Sequence, residues 1–169
     1  GAIFNIEKLD WFNAQYIKNS DGVRLSEKLK DFIPEDWFEN KKLLVKVVEI
    51  EKERMKKLAD FKELADFFFE LPDYETKLLS WQNMTEDKIS ANLQLLTAEI
   101  GKIPEADFNK ENLEKIIIPL TEAWGRGELL WPLRIALSGK QASPGPFEIM
   151  EILGKEETLK RIKVAIKKL

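Results

Sequence analysis

The 169-residue sequence has no cysteine and no histidine. Without cysteine there are no disulfides and no thiolate metal sites. Without histidine there is no Ser-His-Asp or Cys-His triad, no imidazole metal site and no access to the commonest general base. Carboxylate or lysine chemistry stays open, yet the 30 acidic residues are spread over helical patterns and offer no pair to select. No catalytic residue and no metal ligand is therefore assigned. The chain also lacks an apolar run near the roughly 20 residues of a membrane helix. No signal-peptide pattern precedes the first polar turns, so a soluble chain is expected. Nor is there a basic excess: the net charge is −3 and the pI near 5.3, which weighs mildly against a nucleic-acid binder. Strand alternation, a repeat of fixed period and Gly/Ser-rich linkers are all missing. What remains is an all-α chain, an array of short helices joined by connections of a few residues.

Charge is distributed unevenly. Lys155, Lys160, Arg161, Lys163, Lys167 and Lys168 face only Glu156 and Glu157 in the last fifteen residues, a local +4 that leaves −7 on the rest. A basic tail on an acidic body suits phosphate contact or a polar helix face equally well.

In chain order, Ile6 to Lys18 places Leu9, Phe12 and Tyr16 on one helical stripe, stopped by Asn19-Ser20-Asp21-Gly22. The abrupt start, with Gly1 and then AIFN, suggests a piece of a longer protein. Ser26 is a candidate N-cap for a short helix with Leu29, Phe32 and Ile33, ended by Pro34. The longest helical signal runs from about Glu39 to Met55 through Leu43, Leu44, Val47, Val48 and Glu51 and closes in a charge run that includes Arg54. On spacing alone that run reads as a solvated helix end. Leu58 to Leu71 should turn Phe61, Leu64, Phe68 and Leu71 inward, and its three consecutive phenylalanines read as core. Pro72-Asp73-Tyr74 marks a boundary between two helical lobes.

Beyond it, Lys77 to Trp81 suggests a short helix. Thr85 caps one carrying Ile89, Leu93, Leu96 and Ile100 before Gly101, and Asn109 caps one in which Pro119 should produce a kink or a division. Gly125-Arg126-Gly127 breaks the chain again. In the last segment Leu159, Ile162 and Ile166 should dock and the cations face out.

The chain is organised around Trp131 to Gly154, WPLRIALSGKQASPGPFEIMEILG. An apolar segment whose only cation is Arg134 leads through a Ser-Gly break into a Ser-Pro-Gly-Pro turn and a second apolar run. Gly139 and Gly145 can supply positive φ, Pro144 and Pro146 fix φ near −65°, and Pro146 falls where a helix can begin. Such a turn holds one shape and presents something.

These residues carry a resemblance. WPLRIALSGKQASPGPFEIMEILGKEETLKRI resembles the C-terminal signature of bacterial-type glutamyl-tRNA synthetases, in which an apolar-Pro-Leu-Arg-x-Ala-Leu-[Ser/Thr]-Gly segment precedes a [Ser/Thr]-Pro-Gly-x-Phe-Glu turn. KLDWFNAQYI, Lys8 to Ile17, is similar to the segment closing that family's tRNA stem-contact region. ERMKKLADF, Glu53 to Phe61, is similar to the start of its first anticodon-binding element. Together the three ordered motifs cover essentially the whole chain.

The resemblance implies a helical anticodon-binding cage. Residues 1–20 would end the stem-contact region, 21–72 form a first helical subdomain and 73–169 a second. It implies the C-terminal half of a class I, ATP-dependent ligase that attaches glutamate to its tRNA, a cytoplasmic and monomeric protein. ATP and magnesium would belong to a catalytic half absent from this chain, which itself would need no cofactor and would bind without catalysing. By the same resemblance Arg54 faces the third anticodon base, Arg134 is a second anticodon-reading arginine, and Ser143 and Pro144 lie in the turn against which the first two anticodon bases pack. Position 146, often aliphatic in such sequences, is Pro146 here, and it keeps apolar packing available. Asn13 and Tyr16 match residues near the inner elbow of the tRNA. The competing reading is a helical protein-interaction module that uses exposed tryptophans such as Trp37 or Trp131 as anchors.

Overall fold

The computed structural model describes residues 5–169, and among these it contains nine α-helices, two short 3-10 segments and no strand. The residues up to Phe69 form one compact unit and Glu70–Leu169 a second.

The first unit comprises α1 (Ile6–Lys18), α2 (Gly22–Lys28), α3 (Glu35–Glu39), α4 (Lys41–Glu51) and α5 (Asp60–Phe69). Its core is α4, which presents Leu44, Val47 and Val48 to α2, α3 and α5. Leu25, Leu29, Phe61, Ala65, Phe67 and Phe68 close around them, all essentially without exposure. The triple phenylalanine is thus core for two rings, and the third, Phe69, stacks on Trp37 with ring centroids 4.3 Å apart.

Several local expectations change here. Asp21, and not Ser26, caps α2, its carboxylate accepting from the Arg24 amide at 3.0 Å, while Ser26 is buried inside the helix. Asp21 wins because the earlier start turns both Leu25 and Leu29 into the core. The helix expected from Glu39 to Met55 is Lys41–Glu51, since Asn40 caps it and after Lys52 the Arg54 amide turns back to the Glu51 carbonyl, three residues away, at 2.8 Å. Arg54 therefore sits in a turn beyond the helix end. The stripe of Leu9, Phe12 and Tyr16 on α1 is each about half exposed, and α1 packs through Ile17 instead.

The second unit is built around α8 (Arg126–Ser138), with α6 (Glu86–Lys102), α7 (Lys110–Trp124) and α9 (Pro146–Lys168) packed against it. Leu129, Pro132, Leu133, Ile135, Ala136 and Leu137 of α8 are buried on successive faces, as expected of a helix surrounded by others. Pro132 has no amide to offer the Glu128 carbonyl four residues back. The Asn92 side chain, wholly buried on α6, donates to that carbonyl at 2.9 Å and restores the missing bond.

Thr85 and Asn109 cap α6 and α7 as expected, and Ile89, Leu93, Leu96 and Ile100 are all buried. Gly101 does not end α6, which continues to Lys102. Pro119 does not divide α7, because the carbonyl it orphans belongs to Lys115, an exposed position. The short helix expected from Lys77 to Trp81 is a 3-10 turn, Thr76–Leu79, and Trp81 lies outside it.

α9 bends at Gly154 (φ 76°, ψ 169°), where the first apolar run stops as its glycine suggested. The outward-facing cationic tail needs correction. Arg161 is 3% exposed, with Nη1 donating to the Leu137 carbonyl at 2.7 Å and Nε to Glu157 at 2.8 Å. Lys155 donates to the carbonyls of Gly101 and Ile103 at 2.9 and 2.6 Å. Both cations satisfy carbonyls at the ends of other helices, where positive charge is favoured.

Candidate nucleic-acid interface

In the second unit, α8 ends on Gly139, left-handed at φ 66°, whose amide donates to the Ile135 carbonyl at 2.7 Å. A Cβ there would meet Pro72 Cγ at 2.9 Å and Tyr74 Cδ1 at 3.1 Å, so glycine is needed for both conformation and space. Gly145, also expected at positive φ, has φ −63° and serves as the cap residue before α9, with Pro146 at the first helical position.

Between these glycines the chain is tied back to α8. The Ser138 hydroxyl donates to the Arg134 carbonyl at 2.8 Å and accepts from the Lys140 amide at 3.1 Å. Arg134 Nη1 reaches the Ser143 carbonyl at 3.4 Å, and the Ser143 hydroxyl donates to the Pro144 carbonyl at 3.0 Å. Arg134 and Ser143 are half-buried, and the Pro144 and Pro146 rings are buried.

Beside this turn lies a cleft of about 820 Å³, within the roughly 300–1,000 Å³ usual for small-ligand sites. Arg134, Pro146 and Phe147 line it, together with Arg126, Trp81 and Trp131, while Glu114 and Glu148 add carboxylates. Glu148 is engaged by Lys110 Nζ at 2.7 Å, and this hydrogen bond, with the charge of the carboxylate, raises the Lys110 pKa. With Glu148 so paired, the guanidinium groups of Arg126 and Arg134 are left as the cationic groups of the wall. Ser143 and Pro144 are not on that wall. Ser143 joins it through its hydrogen bond from Arg134, and Pro144 acts by fixing the turn.

Sequence reasoning missed Trp81, Arg126 and Lys110. The isolated Trp81 in a polar turn and the arginine between two glycines are the only signals it contains.

In the first unit, Arg54 Nη1 pairs at 2.7 Å with Glu51, whose side chain is completely buried at the end of α4. The buried carboxylate fixes the direction of the guanidinium. Periodicity put Glu51 in one series with Leu44, Val47 and Val48, and the fold adds that its carboxylate is buried there against Arg54. The Asn13 side chain donates to the Lys56 carbonyl at 2.8 Å and so ties α1 to the turn that carries Arg54. Tyr16 is 55% exposed, and its hydroxyl accepts from Lys28 Nζ at 2.9 Å. That hydrogen bond and the lysine charge lower the phenol pKa.

Among the described residues no group of three or more His, Cys, Asp or Glu side chains is placed to hold a metal ion. No helix among them is long and apolar enough to cross a membrane.

The chain is 34% identical to a glutamate-tRNA ligase of Lachnoclostridium phytofermentans over 99% of its length. It is 37% identical to that of Clostridium tetani, again over 99% of the chain. In both cases it spans 35% of the relative, so about a third of the length of the curated relatives it matches. A crystal structure of a glutamate tRNA ligase from Elizabethkingia meningosepticum matches with a TM-score of 0.81 at 30% identity, covering all of this chain and 34% of that one. The glutamate-tRNA synthetase of Elizabethkingia anophelis matches at 0.79 and 31% identity, over 99% of this chain and 32% of that one. Residues 24–166 match the anticodon binding domain, over more than half of the chain, and this chain therefore belongs to the anticodon binding domain family.

Proposed function

We propose that the chain recognises the anticodon loop of a glutamate tRNA, as the monomeric anticodon-binding part of a cytoplasmic glutamate-tRNA ligase that charges this tRNA with the use of ATP and magnesium. The observation that carries this reading is Arg134. It is the one cation in the apolar stretch 131–137 of the central helix, hydrogen-bonded to the rigid turn and exposed to a cleft of the right size for unstacked bases. Sequence-specific RNA recognition targets such splayed loops through stacking and hydrogen bonds to base edges. A guanidinium offers two parallel donors to a base acceptor edge, and the backbone of the Ser143-Pro144 turn offers carbonyls and an amide. Pro146 supplies an apolar wall.

Arg54 takes the third anticodon base in this account, aimed by Glu51, and favours an enzyme that discriminates glutamate tRNA from glutamine tRNA. Asn13 positions the Arg54 turn through Lys56, and Tyr16 contacts the tRNA elbow. The ligation chemistry, with its ATP and magnesium, is assigned to parts of such a ligase that these residues do not include, so this piece binds and does not catalyse. A protein-interaction module finds no support: Trp37 lies on Phe69, and the Trp131 indole donates to the Leu78 carbonyl at 2.9 Å.

The test is a gel shift with cognate and non-cognate tRNA at two salt concentrations, using the wild-type chain, Arg134→Gln and Arg54→Lys. Arg54→Lys keeps a cation for Glu51 and removes only the planar fork. Salt-sensitive, cognate-selective binding is expected, with selectivity at the third base reduced by Arg54→Lys. Unchanged selectivity would remove Arg54 from the reading, and binding insensitive to both salt and tRNA identity would remove the reading itself.

A further inference from the structure

Trp81 has no role in the account above, yet three separate features fix it on the cleft wall. First, it heads a tight turn closed by the Met84 amide donating to the Trp81 carbonyl at 3.1 Å. The two central residues of that turn, Gln82 and Asn83, are both left-handed (φ 48° and 64°), and they are the only non-glycine residues at positive φ among those described. The Ser80 hydroxyl donates to the Met84 carbonyl at 3.0 Å and closes the turn a second time. Left-handed glutamine is unfavourable, and such conformations persist where the surroundings impose them. Second, Gly127, in the first turn of α8, lies directly under the indole: a Cβ there would overlap the ring, which is rigid and unable to fold aside. Third, Trp131, anchored through its indole N–H to Leu78, braces the ring from the side at a centroid distance of 5.4 Å and 48°. Trp81 nevertheless stays half-exposed and lines the cleft with Arg126 and Arg134.

We propose that Trp81 is the stacking platform for one unpaired base of the RNA held in this cleft. The inference rests on the proposed anticodon reading and adds the residue that supplies stacking. A large π-face held at a fixed angle accepts any base, and the two arginines complement the adjoining phosphates and base edges. Trp81 contributes affinity, while base identity is read by hydrogen bonds from other groups.

The 169-residue chain is titrated with an anticodon stem-loop of glutamate tRNA and with three versions carrying one abasic anticodon position each. Binding is read by anisotropy of labelled RNA and by tryptophan fluorescence. Trp81→Leu is expected to bind the intact stem-loop about 5- to 150-fold more weakly. Trp81→Phe, which keeps a stacking face, should recover most of that loss. The tryptophan quench on binding should fall in Trp81→Phe. For one abasic position, the losses from Trp81→Leu and from the missing base should not add, because both delete the same contact. Additive losses at all three positions, or wild-type affinity in Trp81→Leu with an unchanged helical spectrum, would overturn the proposal and leave the anticodon reading standing. Equal wild-type affinity for the intact, abasic and scrambled stem-loops would overturn both.

Discussion

Replacing Arg161 by methionine tests whether the packing of the second unit depends on a cation that the sequence places on a polar face. The guanidinium is 3% exposed, and its partners include the Leu137 carbonyl at 2.7 Å and Glu157 at 2.8 Å. Leu137 is itself fully buried near the end of α8, so nothing replaces the lost donor. A hydrogen bond from a charged donor contributes about 1.5–3 kcal/mol, and stranding its acceptor brings the cost toward the upper end. The Glu157 pair adds about 1 kcal/mol at most, because that carboxylate is 33% exposed and also holds Lys160 at 3.0 Å. Arg161→Met should therefore destabilise the second unit by about 3 kcal/mol, and Arg161→Lys by less. The readout is hydrogen exchange of α8 amides across a urea series, which reports on this unit alone.

The pH dependence gives an independent check. Burial pushes the Glu157 pKa up, but the hydrogen bonds and charges of Arg161 and Lys160 outweigh it and leave the pKa below the ordinary carboxylate value. A lowered pKa gives stability that is present above the unfolded value and lost as the pH falls through the folded one. The gap between wild type and Arg161→Met should thus narrow on acidification, down to the Leu137 contribution. A destabilisation within 0.5 kcal/mol of that of Lys160→Met (about zero, for an exposed side chain) would refute the reasoning.

Two further outcomes follow from the same unit. The Tyr74 hydroxyl is buried with no hydrogen-bond partner among the described residues, and burial, then the Asp73 charge, pushes its pKa up to about 12. The unfolded phenol ionises near pH 10, so wild-type stability should decline as the pH rises from 10 towards 12. Tyr74→Phe should abolish that part of the decline and equal or exceed wild-type stability at pH 7 in thermal melts. Gly139→Ala combines positive φ with contacts to Pro72 and Tyr74, and should cost about 2–3 kcal/mol in urea unfolding, whereas Gly101→Ala, inside α6 with open space around it, should be neutral or stabilising.

Which features the sequence disclosed follows from how local their causes are. The caps at Thr85 and Asn109 and the buried series Ile89, Leu93, Leu96 and Ile100 depend on residues within one or two turns, and periodicity found them. Asp21 and Ser26 are both competent caps, and the choice between them was made by where Leu25 and Leu29 pack, which no window of five residues contains. The apolar stripe of α1 was legible as a stripe, but not its exposure, because periodicity names a face and not what covers it.

The site divides in the same way. Arg134 stood out as the one cation in an apolar segment. Arg161 could not be recognised, since it looks like any helical charge until the fold buries it, and Glu51 fell in the apolar series of its helix with no sign of its partner Arg54. Trp81 reaches the cleft only because α8 brings Gly127 and Trp131 against it. Pro132 and Asn92 give a further example, for the proline that seems to break a helix is matched by a side-chain donor 40 residues earlier in the chain.

The central claim, that this chain reads an anticodon, is tested most directly by exchanging only the anticodon. The affinity of the 169-residue chain is measured for a glutamate tRNA and for the same tRNA carrying a non-cognate anticodon, at one fixed salt concentration. Three changed bases, each worth about 1–3 kcal/mol when a good contact is lost, predict a loss of at least about 100-fold. Equal affinity for the two tRNAs would contradict the account.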